Sequence, residues 1–95
     1  MDGLHREEVD GSTEIVLDRG RGNALDPALL SALERTFGVL AREGSPPVVL
    51  RSAAGSFCTG IDLTAVAGFD RRRMRDFMAS FHRALSACFA YDGPL

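Results

Sequence analysis

A helical segment that is closed by stop signals and followed at once by a short apolar run places the strongest constraint on the fold. Asp26-Pro27 predicts the helix start, because aspartate can accept a bond from a free N–H and proline fits the first helical position. The run GSPP at positions 44 to 47 predicts an end near Glu43. One apolar stripe with helical spacing is expected to be buried, formed by Leu30, Leu33, Phe37 and Leu40.

The apolar run Val48-Val49-Leu50 is typical of a strand that is buried on both faces of a parallel sheet. Upstream, residues 4 to 9 and 13 to 18 resemble strands, and Asp10-Gly11 between them is a hairpin signal. Strand, helix and strand together predict a right-handed βαβ crossover. The loop after Leu50 then lies at the carboxyl edge of the sheet, where open α/β sheets commonly bind ligands.

A second amphipathic helix is expected to begin after Asp70. Its apolar positions follow helical spacing, and they are Met74, Phe77, Met78, Phe81, Leu85 and Cys88. The segment YDGPL then contains a glycine stop, and Pro94-Leu95 is typical of the start of another strand. We therefore expect the 95 residues to end in the middle of an element.

Length and composition predict a single packed domain over residues 1–95. A hydrophobic fraction of 45% and a charged fraction of 25% are those of an ordinary globular protein. A domain of this size buries only about 60 to 65% of its unfolded surface, so its stability alone should be marginal.

The charge balance argues against nucleic acid and against an anionic membrane as partners. The formal net charge is −2 and the pI is about 5.6, which provides no global basic surface. No apolar run approaches the roughly 20 residues needed to span a bilayer, and the first ten residues are too polar for a signal peptide. A cytoplasmic location is therefore predicted.

The cysteines and histidines do not form a recognisable metal or disulfide pattern. Cys58 and Cys88 fall in different predicted elements, and His5 and His82 are the only histidines. Without CxxC or HxxxH spacing we expect reduced thiols and no metal site. No base is expected beside Cys58 to activate it, and His82 is expected to be a partly buried helix residue.

The loop GSFCTGIDL, residues 55 to 63, is the main candidate site. Gly60 indicates either a tight turn or a position where a ligand must approach the backbone closely. If Asp62 caps a short helix LTAVA, the N–H groups of Gly60, Ile61 and Asp62 lie at a helix N-terminus, which suits an oxyanion. Fixed N–H donors of this kind can stabilise a carbonyl oxygen on which negative charge develops.

Other charged residues are weaker candidates. Glu34 and Glu43 fall on the first helix and should face solvent, and Asp70 has an adequate role at the start of the second helix. The arginine run allows two interpretations: a solvated helix face, or one or two guanidinium groups that contact phosphates. Its members are Arg71, Arg72, Arg73 and Arg75.

Two spaced motifs resemble a known family. The first motif is NALD (Asn23 to Asp26), and the second is VVLRSAAGSFCTGIDL (Val48 to Leu63) with its F-x-x-G-x-D-L core. Together with the amphipathic helix that follows, they resemble the N-terminal part of the crotonase, or enoyl-CoA hydratase/isomerase, superfamily. The resemblance spans nearly all of the sequence. It implies an α/β fold, with an N-terminal ββ hairpin and βαβ units of a ββα spiral, and about the first third of the family's catalytic domain.

The resemblance also implies which residues act. Ile61 would donate one of two oxyanion-hole N–H groups from its backbone, and Ala24, Thr59, Gly60 and Asp62 would line the coenzyme A groove. The substrate would be an acyl-CoA thioester of fatty acid metabolism, with coenzyme A entering as part of the substrate and no permanently bound cofactor. Lyase or isomerase chemistry would follow, through a second oxyanion-hole glycine and acid/base glutamates that are expected beyond Leu95.

Assembly has two alternatives. The family resemblance implies a trimer-based homo-oligomer, whereas a short chain could instead be a non-catalytic binding or assembly module that pairs with a complementing polypeptide. A generic α/β domain without a ligand is a third interpretation, which the two spaced motifs argue against.

Overall fold

The computed structural model describes residues 3–95, so Met1 and Asp2 of the predicted domain lie outside the described residues. Within residues 3–95, three strands and three α-helices follow one another, with a short 3-10 turn at Arg21–Asn23 after the second strand. In order they are β1 (Leu4–Val9), β2 (Ser12–Leu17), α1 (Pro27–Arg42), β3 (Val48–Ser52), α2 (Leu63–Val66) and α3 (Arg71–Phe89).

The three strands form one mixed sheet in the order β1-β2-β3. β1 and β2 are antiparallel, with Leu4 opposite Leu17, and the turn residues Asp10 and Gly11 have φ angles of 46° and 84°. Two positive φ angles are what a tight hairpin turn requires, so the predicted hairpin is confirmed. β2 and β3 are parallel and are connected through α1, which confirms the predicted βαβ unit.

α1 forms where the sequence signals place it. The Asp26 side chain accepts a bond from the Leu29 N–H at 2.8 Å, and Pro27 occupies the first helical position. All four residues of the predicted apolar stripe are buried, and they join Ile15, Leu17 and Val48 in the core between α1 and the sheet. Burial of this stripe is the main favourable contribution to the fold.

One prediction about β3 is wrong. Val48 is buried, but Val49 on the opposite face of the strand is 47% exposed. The reason is that, in the described chain, α1 and the core lie on the Val48 side of the sheet. The other face has an ion-paired layer instead, in which Arg51 contacts Glu14 at 2.7 Å and Glu7 at 3.5 Å.

α3 packs against α1 and is capped by Asp70, which accepts a bond from the Arg73 N–H at 2.8 Å. Phe77 and Ala84 are buried in this contact. The predicted apolar stripe is wider than the contact, because Met78 and Leu85 remain 46% and 40% exposed. No helix of the described residues is both long and apolar enough to cross a membrane.

The segment after α3 is attached to the start of β3. The Tyr91 hydroxyl donates a hydrogen bond to the Pro46 carbonyl, and the Tyr91 ring meets Phe37 edge-on at 5.3 Å. The Val48 N–H then donates to the Pro94 carbonyl at 2.9 Å. This bond attaches Pro94 to the edge of β3, but the described chain has no strand after α3, so the strand start at Pro94-Leu95 stays a prediction.

Candidate functional site

The two sequence motifs meet directly in the structure. Leu25 of the NALD segment forms a parallel bridge with Ile61 of the GSFCTGIDL loop. The Leu25 N–H donates to the Gly60 carbonyl at 2.7 Å, and the Asp62 N–H donates to the Leu25 carbonyl at 2.8 Å. The structure therefore brings Ala24, which precedes Leu25, into the same neighbourhood as the candidate residues of the loop.

The bridge fixes the direction of each N–H group in the loop. Ile61 is flanked by the two bonds that Leu25 makes to Gly60 and Asp62. In a parallel bridge, a residue that is flanked in this way directs its own N–H away from the partner segment. The Thr59 N–H donates to the Gly22 carbonyl at 2.8 Å, and the Gly60 N–H donates to the Cys58 sulfur at 3.4 Å. Among the described hydrogen bonds of residues 59 to 62, the Ile61 N–H alone has no acceptor.

This pattern corrects one expectation. The N–H groups of Gly60, Ile61 and Asp62 were expected to face an oxyanion together, but two of the three are used inside the fold. Of these three N–H groups, only that of Ile61 has no acceptor within the described residues.

The Gly60 backbone adopts the positive φ that a tight turn requires. Its φ angle is 99°, a conformation that residues with a side chain adopt only with strain. A Cβ at this position would meet no atom within 4 Å. The glycine therefore makes the turn, and it also leaves open space beside the backbone that precedes Ile61.

Asp62 caps α2 as predicted, through a bond of 3.1 Å from the Ala65 N–H to its side chain. α2 has only four residues, Leu63–Val66. A helix of one turn adds little macrodipole, so α2 contributes little to the electrostatics of the loop. Thr59 packs against Gly22, where a Cβ would lie 2.7 Å from the threonine methyl carbon.

Asn23 holds the site together, and the sequence analysis did not assign it this role. Asn23 is fully buried, and its side-chain oxygen accepts a bond from the Arg19 N–H at 2.8 Å. Its amide nitrogen donates to Ser52 Oγ at 2.7 Å and to the Phe57 carbonyl at 3.0 Å. One side chain thus links the loop after β2, the end of β3 and the candidate loop.

A signal for this role was present in the sequence. Asn23 lies in a glycine-rich loop and adopts a φ angle of 48°, and asparagine tolerates positive φ better than most residues. Two of its three bonding partners, Ser52 and Phe57, are distant in sequence, so that signal could indicate a turn but not a buried link.

The described contacts of Cys58, His82 and Glu43 give none of them a catalytic arrangement. The Cys58 thiol donates to the Asn23 carbonyl at 3.3 Å, which ties the loop to the NALD segment. His82 is exposed rather than partly buried, and it lies 3.4 Å from the Ser86 hydroxyl. Arg6 forms a 2.7 Å ion pair with Glu43 and lowers the pKa of that carboxyl, so Glu43 is a poor proton acceptor.

All four arginines of the run are exposed, as the interpretation of a solvated helix face predicts. Arg73 lies over the Phe69 ring, with its guanidinium carbon 4.5 Å from the ring centre, which is a cation–π contact. Arg71, Arg72 and Arg75 are exposed on α3. The described contacts do not assign any of these three to a phosphate.

Of the candidate residues, Thr59 is exposed and Ala24, Gly60, Ile61 and Asp62 are half-buried. Three surface hollows of the described chain, of about 220, 310 and 360 Å³, are lined by residues other than Ala24 and residues 59 to 62. Within residues 3–95, no group of three or more histidine, cysteine, aspartate or glutamate side chains is arranged to hold a metal ion.

Among known proteins, the chain is similar to solved structures but matches no family model. No protein-family model matches the sequence, and no curated protein matches it. Among solved structures, an enoyl-CoA hydratase from Mycobacterium smegmatis is similar, with 29% identity and a TM-score of 0.89, over 97% of this chain and 37% of that one. An enoyl-CoA hydratase from Bacillus anthracis has 24% identity and the same TM-score, over 97% of this chain and 37% of that one.

A third similar structure is an enoyl-CoA hydratase/carnithine racemase from Magnetospirillum magneticum, with 22% identity and a TM-score of 0.87, over 99% of this chain and 37% of that one. The chain thus spans about 37% of the length of these structures. The α/β fold that the two motifs implied is confirmed.

Proposed function

We propose that this chain, which has the fold of the N-terminal part of the crotonase (enoyl-CoA hydratase/isomerase) superfamily, is an acyl-CoA-binding segment that supplies one oxyanion-hole N–H from Ile61. In this proposal residues 1–95 belong to a single crotonase-like domain. The observation that supports the role most directly is the Leu25–Ile61 bridge, since it uses the N–H of Asp62 and leaves the Ile61 N–H without an acceptor within the described residues.

The chemistry follows from the direction of this donor. When a thioester carbonyl becomes enolate-like, negative charge develops on its oxygen, and a fixed N–H aimed at that oxygen stabilises the transition state by about 3 kcal/mol. The donor is already oriented by the bonds of its neighbours, so little reorganisation is needed. The open space beside Gly60 lets the thioester approach the backbone.

The coenzyme A portion would lie along the backbone of the two bridged segments. Ala24, Thr59, Gly60 and Asp62 are the residues that would line this groove. Coenzyme A would enter and leave as part of the substrate, without a permanently bound cofactor. Thr59 is exposed, whereas Ala24, Gly60 and Asp62 are half-buried, which suits contact through the backbone.

Complete catalysis requires groups that the described residues do not provide at this site. Glu43 is paired with Arg6, and Glu34 lies 3.5 Å from Arg83 on the outer surface of the helices. The chain would therefore polarise the thioester, while a second N–H and the acid/base groups that choose between lyase and isomerase chemistry would come from additional polypeptide.

A second candidate function is a non-catalytic assembly module that pairs with a complementing polypeptide. The chain spans 37% of the similar enzymes, and Phe89 at the end of α3 is 90% exposed. A trimer-based homo-oligomer, as the family resemblance implies, is the alternative mode of assembly.

Titration of the isotope-labelled chain with crotonyl-CoA, followed by amide proton–nitrogen NMR, tests the proposal. We expect the Ile61 amide to shift most, with smaller shifts at residues 24, 59, 60 and 62. Free coenzyme A has no thioester carbonyl, so it should shift the groove residues and leave the Ile61 amide nearly unchanged. If millimolar crotonyl-CoA caused no amide chemical-shift change, the proposal would be wrong.

Gly60→Val separates a ligand-facing glycine from a purely structural one. The variant fills the open space and strains the backbone by about 1–3 kcal/mol. Gly68→Val is the matched control, because a Cβ at Gly68 also meets no atom within 4 Å and the position has no positive φ. We expect Gly60→Val, and not the control, to lose crotonyl-CoA binding at a temperature where both variants remain folded.

A further inference from the structure

A short segment around Leu25 is the backbone partner of the candidate loop. Leu25 donates its N–H to the Gly60 carbonyl at 2.7 Å and accepts the Asp62 N–H at 2.8 Å. The peptide group between Gly60 and Ile61 is planar and trans, so its N–H is opposite in direction to its carbonyl. Because the Gly60 carbonyl is directed at Leu25, a displacement of Leu25 that this bond follows also turns the Ile61 N–H.

The segment that leads to Leu25 has little stiffness of its own. Gly20 and Gly22 lie just before it, with φ angles of 79° and 74°. Glycine restricts the backbone less than any other residue, so this glycine-rich approach does not define the place of Leu25 by itself. Side-chain contacts are therefore needed to hold Leu25 in place.

Arg19 and Asp26 close this glycine-rich segment at its two ends. Arg19 Nη2 and Nε donate to Asp26 Oδ2 at 2.5 and 3.0 Å. The two side chains are 30% and 14% exposed, so the ion pair is partly shielded from water and is stronger than a pair on open surface. The backbone N–H of Arg19 also donates to the Asn23 side chain at 2.8 Å. One residue thus holds the segment at two points, on either side of Leu25.

The Asp26 carboxylate uses its two oxygens for two different contacts. Oδ1 accepts the Leu29 N–H at 2.8 Å and caps α1, whereas Oδ2 accepts only from Arg19 in the described chain. The helix cap therefore does not depend on Arg19. Loss of the arginine should loosen the segment before Asp26 while α1 stays capped.

The chain just before β1 confines the Arg19 side chain. A Cβ on Gly3 would collide with Arg19 Cδ, so the two residues are in close contact. The Gly3 carbonyl accepts the Asp18 N–H at 2.7 Å, which fixes the backbone of Gly3 at this place. Little room is left for the arginine stem to move on this side, so the guanidinium is held toward Asp26.

We propose that Arg19 is a positioning residue of the candidate site. Its ion pair with Asp26 holds Leu25 in the place from which the Gly60 carbonyl, and through it the Ile61 N–H, receives its direction. The consequence for catalysis rests on the function proposed above, because a misdirected Ile61 N–H would polarise a thioester carbonyl less. The effect on the backbone exists in the chain without ligand, so it can be measured separately.

Hydrogen exchange of the ligand-free chain, followed by NMR, tests the effect of the ion pair. Arg19→Met keeps an aliphatic stem and removes the charged donors. We expect exchange of the Leu25 and Asp62 amides to accelerate about tenfold, because a charge-assisted contact that holds their bonds is lost. The Thr13 amide of β2, which is also hydrogen-bonded, should not change, since a local opening leaves the sheet folded.

Two further variants check that the partner and the place of the arginine matter. Asp26→Ser keeps a capping oxygen for α1 and removes the carboxylate that Arg19 binds, so it should accelerate the same two amides. The double variant should add little to either single variant, because both remove one contact. Arg6→Met is the matched control, since Arg6 is 35% exposed and pairs with Glu43 at the other end of α1. It should leave both amides unchanged relative to the sheet.

Gly3→Ala perturbs the arginine without a chemical change to the ion pair. The new methyl group would displace the Arg19 stem, so we expect faster exchange at the same two amides. Gly11→Ala is its control, because φ is 84° there, close to the 89° of Gly3, and a Cβ meets no atom within 4 Å. Both variants carry a similar backbone strain, and only Gly3→Ala should affect the candidate loop.

Crotonyl-CoA labelled with carbon-13 at the thioester carbonyl reports the direction of the Ile61 N–H. In the parent chain we expect the bound carbonyl resonance to move downfield, because an N–H aimed at the oxygen polarises the bond. In Arg19→Met the displacement, extrapolated to saturation, should be smaller, and in Arg6→Met it should equal that of the parent chain. A purely structural role of Arg19 would change the fraction of folded chain and leave this displacement as it is.

Equal acceleration at Thr13, no acceleration at the two amides, or the same response in Arg6→Met would each overturn the proposal. An unchanged carbonyl displacement in Arg19→Met, when the parent chain shows one, would also overturn it. If the parent chain causes no displacement of the carbonyl resonance, the proposed acyl-CoA function is wrong, and the exchange rates of the ligand-free chain still decide whether Arg19 positions the loop.

Discussion

Replacement of Asn23 by alanine is the sharpest test of how the candidate site is held together. The substitution removes three hydrogen bonds of a fully buried side chain. At about 1 kcal/mol of net stabilisation each, their loss amounts to roughly 3 kcal/mol. Alanine at a φ angle of 48° adds about 1 kcal/mol of backbone strain, so the free energy of unfolding should fall by about 4 kcal/mol.

Two control variants divide this total into its parts. Asn23→Gly keeps the positive φ without strain and loses only the hydrogen bonds, so it should cost about 3 kcal/mol. Asp10→Ala places alanine at a φ angle of 46° in an exposed turn, so it should show the strain alone, about 1 kcal/mol. The two losses should add up to that of Asn23→Ala.

The assay is equilibrium urea unfolding followed by circular dichroism, since the chain contains no tryptophan for fluorescence. A domain of this size has a total stability of about 5–14 kcal/mol, so the variant should remain measurable. A loss below about 1 kcal/mol for Asn23→Ala, or one equal to that of Asp10→Ala, would refute the role of Asn23 as a buried link.

Two further predictions concern the outer parts of the fold. In Gly93→Ala the new Cβ would lie 2.2 Å from the Ser45 carbonyl oxygen, so we expect the free energy of unfolding in urea to fall by about 1–3 kcal/mol. Gly68→Ala is the control, because its Cβ meets open space and the substitution should be neutral. Equal effects of the two substitutions would contradict this. Arg6 lowers the pKa of the Glu43 carboxyl in the folded chain. The pair therefore stabilises the fold above the unfolded pKa of about 4.3, and this stabilisation is lost as the pH falls through the lower pKa of the folded state. The urea midpoint should therefore drop less between pH 5 and pH 3 in Arg6→Gln than in the parent chain, and identical pH profiles would show that the pair contributes nothing.

The elements whose signals are local could be predicted from the residues. The hairpin at Asp10-Gly11 requires positive φ angles that glycine and aspartate adopt readily, and the start of α1 requires the Asp26 side chain and the Pro27 ring. Each signal acts within a few residues, so it survives in any tertiary context that buries the apolar stripe. The site loop was also predicted, because Gly60 and Asp62 indicate a turn and a helix cap.

Features that depend on distant partners could not be predicted in this way. The free direction of the Ile61 N–H exists because Leu25, far away in sequence, occupies the groups on either side of it. Asn23 is a link only because Ser52 and Phe57 lie beside it after folding. Val49 is exposed although its residue type favours burial, since the helices cover one face of the sheet. Periodicity and capping specify which residues form an element and which can face a core, whereas long-range packing decides which groups find partners and which N–H remains free.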